Sequence, residues 1–298
     1  MEPGIDHITV CVCTYKRPRM LEHLLAELQK QKTDDRFTYS VVVVDNDRAR
    51  SAEDVVTSCK KESTVRIDYH CEPEQNIALS RNRAVANAGG NLIAFIDDDE
   101  LPEMTWLLDL RDALLTFEAD GILGPVRPSY TQETPSWIIK GKFYERPEHE
   151  TGQILNWNET RTGNALLKAE LFHGNDGLFR REYGSGGEDR DFFRRMIGKG
   201  FRFVWCSDAP VYEAVPPERC TRTFLLKRAL LRGKTPNCTF VDYLKSIAAV
   251  PVYTVSLPAL YLAGDHVFMK YLIKDFDHIG RILHLCGFGI IKEKYVLK

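Results

Sequence analysis

Four consecutive acids, Asp97-Asp98-Asp99-Glu100, follow the apolar run Leu92-Ile93-Ala94-Phe95-Ile96, with Gly89-Gly90 before the run and Pro102 after the acids. Such a run reads as a buried strand that delivers its acids at its carboxyl end. That is the edge at which open α/β sheets keep their ligands. Crowded carboxylates repel one another unless a divalent cation such as Mg2+ or Mn2+ neutralises them; the alternative is a solvated acidic turn. A second pair, Glu188-Asp189, follows the glycine-rich stretch Tyr183-Gly184-Ser185-Gly186-Gly187. An acid there is either a helix cap or a group that permissive glycines hold at the mouth of a pocket. A third polar patch, Asp45-Asn46-Asp47, ends the all-valine run 41–44.

The elements that must position these groups alternate. Residues 8–14 form a β-rich run that leads through Tyr15-Lys16-Arg17-Pro18 into residues 20–30, where leucines at 21, 24, 25 and 28 have helical spacing. The run 41–44 predicts a second strand buried on both faces. Residues 76–88 predict a helix whose amino end carries Asn76, Arg81 and Asn82; helices are also expected over 106–117 and 192–199, and strands over 121–126, 164–167 and 201–205. This alternation predicts an α/β domain built on a mostly parallel sheet flanked by helices. The first strand is followed by neither GxGxxG nor GxxxxGK[ST], which argues against a dinucleotide oxidoreductase and a P-loop phosphotransferase.

A chain of 298 residues, 44% hydrophobic, can bury one large core or two smaller ones. The formal net charge of -2 argues against a general nucleic-acid binder. The eight cysteines form no CxxC pair. Cys11 and Cys13 share a strand face, and Cys59, Cys71, Cys206, Cys220, Cys238 and Cys286 are scattered, so all are read as thiols in a reducing cytosol. Residues 1–6 lack a basic region leading into an apolar core, so no secretory signal is expected and the catalytic part is expected to stay in the cytoplasm.

Residues 128–157 are rich in Pro, Trp, Tyr and charge without a sustained period, and are expected to be loops lining a pocket. Trp137, Phe143, Tyr144 and Trp157 are either sugar-stacking platforms or core residues. Residues 218–234 form a basic amphipathic segment carrying Arg219, Arg222, Lys227, Arg228, Arg232 and Lys234. It serves either a diphosphate or solvent. Residues 246–264 carry no formal charge and are interrupted by Pro251 and Pro258. They suit either a helical hairpin in the membrane interface or a helical subdomain on the catalytic domain.

Taken together, Thr14, Asp45-Asn46-Asp47, Asn76 with Arg81-Asn82, Asp97-Asp98-Asp99 with Pro102 and Trp106-Leu107, and Gly187-Glu188-Asp189 resemble a family 2 glycosyltransferase of the GT-A fold. Asn76-Ile-Ala-Leu-Ser-Arg-Asn, Phe95-Ile-Asp-Asp-Asp-Glu, Arg161-Thr-Gly-Asn and Gly186-Gly-Glu-Asp-Arg-Asp-Phe-Phe are similar more narrowly to succinoglycan-type bacterial exopolysaccharide glucosyltransferases. The resemblance implies a catalytic domain over 1–215, with a nucleotide-sugar half to about 100 and an acceptor half from 101, and a helical, membrane-associated region over 216–298. It implies that Thr14, Asp45, Asn46, Asn76 and Arg81 bind a nucleotide-diphosphate sugar, with Asp97 and Asp98 at the ribose and sugar. Asp99, with Asp97, would ligate Mg2+ or Mn2+.

Asn46 stands where relatives more often have a second Asp, and Val211-Tyr212-Glu213 where many have a metal-binding histidine. Either Glu213 is the implied substitute ligand or the metal has one protein ligand fewer. The processive Gln-x-x-Arg-Trp signature is absent, Leu226-Lys-Arg228-Ala-Leu-Leu-Arg232 standing in its neighbourhood, which implies one sugar per encounter. Asp189, supported by Glu188, is the implied base that takes a proton from an acceptor hydroxyl, and direct displacement inverts the anomeric centre. The expected function is transfer of a hexose, glucose with UDP as carrier, to a lipid-linked saccharide at the inner face of the cytoplasmic membrane, with peripheral membrane contact through 219–264. The rivals are a non-catalytic glycan-binding module, which needs no base, and a nucleotidyltransferase, which releases pyrophosphate.

Overall fold

The alternation of apolar runs and amphipathic segments builds a layered α/β arrangement. The computed structural model describes residues 5–174, 177–232 and 239–286; Lys234, Cys238 and residues 1–4 lie outside the described residues. The first half runs β1 (Asp6–Thr14), α1 (Pro18–Leu28), β2 (Phe37–Asp45), α2 (Glu53–Glu62), β3 (Ile67–Cys71), α3 (Ile77–Ala86), β4 (Leu92–Asp97), β5 (Glu100–Pro102) and α4 (Trp106–Thr116). Helix α1 begins at Pro18, a position that needs no amide donor, and buries Leu21, Leu24, Leu25 and Leu28 along one stripe. Helix α3 is capped by Asn76, whose side-chain oxygen accepts from the Leu79 amide at 3.1 Å.

Beyond α4 come β6 (Gly121–Leu123), β7 (Val126–Ser129), α5 (Ser136–Lys140), β8 (Asn164–Lys168), α6 (Glu188–Gly198), β9 (Phe203–Trp205) and β10 (Val211–Ala214). Two sequence expectations change here. The single strand expected over 121–126 is split at Gly124-Pro125 into β6 and β7, because proline cannot donate to a ladder. The helix expected from 192 starts at Glu188, so Glu188 and Asp189 sit in its first turn rather than in the loop before it.

The main sheet has the order β3-β2-β1-β4-β8-β6-β9. Its pairs are parallel except those that β8 makes with β4 and β6. A second sheet has the order β5-β10-β7. Apolar clusters cover both faces of the main sheet, one around Val10, Val12, Leu24 and Trp106, the other around Val42, Phe95 and Phe192. In the second, Phe172 stacks on Phe192 at 5.1 Å and Phe193 meets Phe203 edge-on at 4.9 Å. Each such ring contributes roughly 1.5–3 kcal/mol by leaving water. Cys11 is buried in this cluster and Cys13 packs against it; the described cysteines are all free thiols.

The described residues divide into two compact units. One holds the chain up to Arg127 with Arg146–Glu213, the other Pro128–Glu145 with the residues from Ala214 on. The second contains α5, α7 (Arg222–Arg232), α8 (Phe240–Leu262) and α9 (Asp265–Leu285). Its core is Ile138, Val215, Cys220, Leu225, Ala229, Met269 and Ile273, with Trp137, Phe143 and Tyr144 packed against it. The expected pocket loop over 128–157 is therefore in part a structural piece of this unit: those three aromatics pack, while Trp157 stays exposed.

The basic segment makes ion pairs, Arg222 to Asp265 at 2.5 Å and Arg232 to Asp277 at 3.0 Å. The proline-interrupted segment is one continuous helix, α8, with Pro251 and Pro258 inside it. Helix α8 is long and apolar enough to cross a membrane by length and composition. Val252 is 68% exposed and Val255 81%. Ser246, which is buried, receives Arg281 Nη1 at 3.1 Å and lies 3.0 Å from His278 Nδ1.

Candidate active site

Parallel pairing of β1 with β2 and β4 brings Thr14 opposite Asp45 and Cys13 opposite Asp97, so three strands end at one edge. The acid run turns there. Asp98 accepts the Thr14 hydroxyl at 2.7 Å and Arg17 Nη1 at 3.0 Å, and Asp99 accepts the same Arg17 nitrogen at 3.0 Å. Asp97 keeps a side chain 48% exposed, while those of Asp98 and Asp99 are 6% and 11% exposed. Burial raises the pKa of Asp98, the Arg17 charge working against it. Burial, then the charges of Asp97 and Asp98, push Asp99 up to about 7.

Glu100 is 1% exposed and accepts the Asp97 amide at 3.0 Å; burial, then the Asp97 charge, raises its pKa well above the ordinary carboxylate range. Arg146 stands 3.9 Å from Glu100 and pairs with Glu213. Glu213 is close enough to Asp99 for its charge to raise the Asp99 pKa. Gly163 lies against this group: a Cβ there would be 2.8 Å from Glu100 Oε1 and 3.3 Å from Asp97 Oδ2, so a larger residue would have to displace the Glu100 carboxylate.

The polar residues after β2 act as a frame. Asp45 is fully buried and accepts from the amides of Asp47 at 3.0 Å and Ala52 at 2.8 Å and from the Tyr69 hydroxyl at 3.1 Å. Asn46 donates to the Glu72 carbonyl at 3.0 Å and accepts the Asn76 amide at 2.9 Å, and Asn76 donates to the Arg181 carbonyl at 3.1 Å. These bonds tie the end of β2 to the start of α3 and to the stretch before α6.

Two arginine bonds join the distant acidic sites. Arg81, 7% exposed, pairs through Nη1 with Glu188 and reaches Asp97 through Nη2 at 3.5 Å. Helix α6 starts after Gly186 and Gly187, both at positive φ of 126° and 93°, a backbone that side chains resist. Glu188 is buried and its Oε2 has no hydrogen-bond partner. Asp191 is committed to Arg195 at 2.8 Å. Asp189 is half-exposed and in no ion pair among the described residues.

Such an arrangement offers an open carboxylate on each side of a bridging guanidinium. The model of glycosyl transferase family 2 matches residues 9–182. Succinoglycan biosynthesis protein ExoM of Rhizobium meliloti (strain 1021) is 37% identical over 234 residues, 77% of this chain and 74% of that protein. The chain belongs to glycosyltransferase family 2.

Chondroitin synthase of Escherichia coli is 25% identical over 91% of this chain, which spans only 44% of that protein. The crystal structure of S. aureus TarS 1–349 in complex with UDP-GlcNAc superposes with a TM-score of 0.54 at 16% identity, over 94% of this chain and 92% of that one. That likeness shows the GT-A fold.

In this glycosyltransferase the structure brings Thr14, Arg81, Asp97, Asp98, Asp99, Glu188 and Glu213 into one connected group. Asp45, Asn46 and Asn76 form the adjoining frame. Sequence reading passed over Arg17 and Arg146. Arg17 was accessible to it, because it follows β1 at the same edge as the acids; Arg146 was not, since it lies in an aperiodic stretch. Oxygen donors from Asp97, Asp99 and Glu213 are of the type that hard divalent cations take, although among the described residues no three such side chains are already gathered around one point.

The Asp99 shift has a measurable sign. Its carboxyl loses its proton near 3.8 when unfolded and near 7 when folded. Between those values the folded chain holds the proton more tightly, so this group costs stability as pH rises from about 4 to about 7 and adds no further change above. Asp99→Asn should remove that loss in cation-free buffer. Urea midpoints of variant and parent should converge near pH 4 and separate at pH 8 in the variant's favour; the opposite order would contradict the environment described for Asp99.

Proposed function

We propose that this glycosyltransferase is an inverting, divalent-cation-dependent hexosyltransferase that moves glucose from UDP-glucose to a hydroxyl of a lipid-linked saccharide in exopolysaccharide assembly. The observation that carries the reading is the Arg81 bridge, which sets Asp97 and the first turn of α6 around one space. Similarity to a succinoglycan biosynthesis protein supports the pathway class, and TarS structures with UDP and UDP-GlcNAc support a uridine carrier. The exposed apolar side of α8 supports peripheral contact with the cytoplasmic face of a membrane.

Asp189 takes the acceptor hydroxyl proton while that oxygen attacks the anomeric carbon and the bond to the diphosphate breaks on the opposite face. An α-linked donor gives a β-glycoside. Asp99, Asp97 and Glu213 would hold Mg2+ or Mn2+; burial first, and then the charges of Asp97 and Asp98, raise the pKa of Asp99, and a cation would offset the charge part of that shift. Bound there, the ion supplies charge stabilisation for the departing diphosphate.

A donor screen with lipid-extract acceptors tests the whole reading. UDP-glucose should give UDP and a β-linked product, chelation should stop release, and Mn2+ or Mg2+ should restore it. Pyrophosphate among the products, or undiminished release after chelation, would refute it.

A further inference from the structure

The loop before β8 holds a cation that the fold leaves without a partner. Arg161 is half-buried and, among the described residues, makes no hydrogen bond and no ion pair. Its neighbour Thr162 is 1% exposed, and that hydroxyl oxygen also has no partner. The charges acting on Arg161 are Arg146 and Arg190, which repel it, and Asp189 and Glu100, which attract it. Burial, then Arg146, pulls its pKa down.

A desolvated guanidinium is costly unless an anion meets it, and among the described residues neither nearby carboxylate lies within ion-pair distance of Arg161. Glu100 accepts the Asp97 amide and stands by Arg146, and Asp189 accepts the Arg190 amide at 2.7 Å. The loop cannot relax toward them, because Gly163 is pressed against Glu100 and Asn164 is bonded to Trp106 Nε1 at 2.8 Å and to the carbonyls of Pro125 and Ala209 at 3.0 and 2.8 Å. A guanidinium and an unpartnered hydroxyl on successive residues offer donors to an oxyanion.

The charged neighbours decide which oxyanion. Among the charges acting on Arg161, those of Asp189 and Arg190, both in the first turn of α6, outweigh that of Glu100 in the acid cluster. We propose that Arg161, Thr162 and Arg190 form an anion subsite that takes a phosphate or carboxylate carried by the acceptor saccharide near the hydroxyl that receives the sugar. The assignment to the acceptor rests on the reading of Asp189 as the base.

Calorimetric titration of the full chain, saturated with UDP, with glucose, glucose 6-phosphate and glucuronate tests it. At least one anionic sugar should bind tenfold or more tightly than glucose, and whichever is favoured tells phosphate from carboxylate. Arg161→Met should bring the anion within about twofold of glucose, and Arg161→Lys should keep part of the preference. Equal affinities in the parent would overturn the subsite, as would a variant that weakens glucose and the anion by one factor. An Arg161→Met chain whose UDP affinity falls as far as its anion affinity would assign the guanidinium to the donor diphosphate and overturn it as well. The readout needs no turnover. An anion preference without sugar transfer would count against the transfer reading alone, and transfer without the preference against the subsite alone.

Discussion

Asp189→Asn should lower kcat for sugar transfer by about 10²–10⁴-fold, the range that a positioned general base contributes, while nucleotide affinity measured by calorimetry holds. Of the three acids in the first turn of α6, Glu188 is locked to Arg81 and Asp191 to Arg195. Asp189 alone is half-exposed and in no ion pair among the described residues, whereas the unpartnered oxygen of Glu188 is buried, so of the three Asp189 has the oxygen that an incoming hydroxyl can reach. The amide keeps the size and loses the basicity. Full transfer by the Asn variant would end the base assignment; loss of transfer together with nucleotide affinity would point to damage elsewhere.

Arg81→Met should be the most destabilising single change in the site. Removing one partner of a buried pair strands the other, at a cost of about 3–5 kcal/mol. Glu188 is 4% exposed and already has one unpartnered oxygen, so nothing nearby can replace the guanidinium. On the usual scaling for domains of this size that is a fall in Tm of about 6–20 °C. Adding Glu188→Gln should return part of the loss, because the stranded charge disappears with its partner. A double variant no more stable than Arg81→Met would show that the two side chains do not act as a pair.

The strands and the acids at their ends were legible because they are local. Leu92 to Ile96 is an apolar run, and parallel pairing carries Thr14, Asp45 and Asp97 to the same edge without further information. The Arg81–Glu188 pair was not legible, since its members lie 107 positions apart and each has a sufficient local explanation, a helix surface and a helix cap. The start of α6 was placed four residues late because glycines read as loop, whereas here two of them supply the positive φ from which the helix departs. Pro251 and Pro258 read as breaks, yet α8 runs through both; neighbouring turns hold a helix together where a proline removes one bond. In residues 128–157 aromatic richness left sugar platform and core packing both open, and for Trp137, Phe143 and Tyr144 the packing around Ile138 decides for the core.

Asn164 binds helix α4, the Gly124-Pro125 break and the Ala209 segment through one amide, and it does so one residue beyond Gly163. The indole proton of Trp106 is therefore a built-in spectroscopic reporter on this end of the sheet. Trp106 is fully buried, so that proton should exchange with deuterium on the slow, global timescale. Its resonance should shift whenever a ligand moves the loop that carries Arg161 and Gly163.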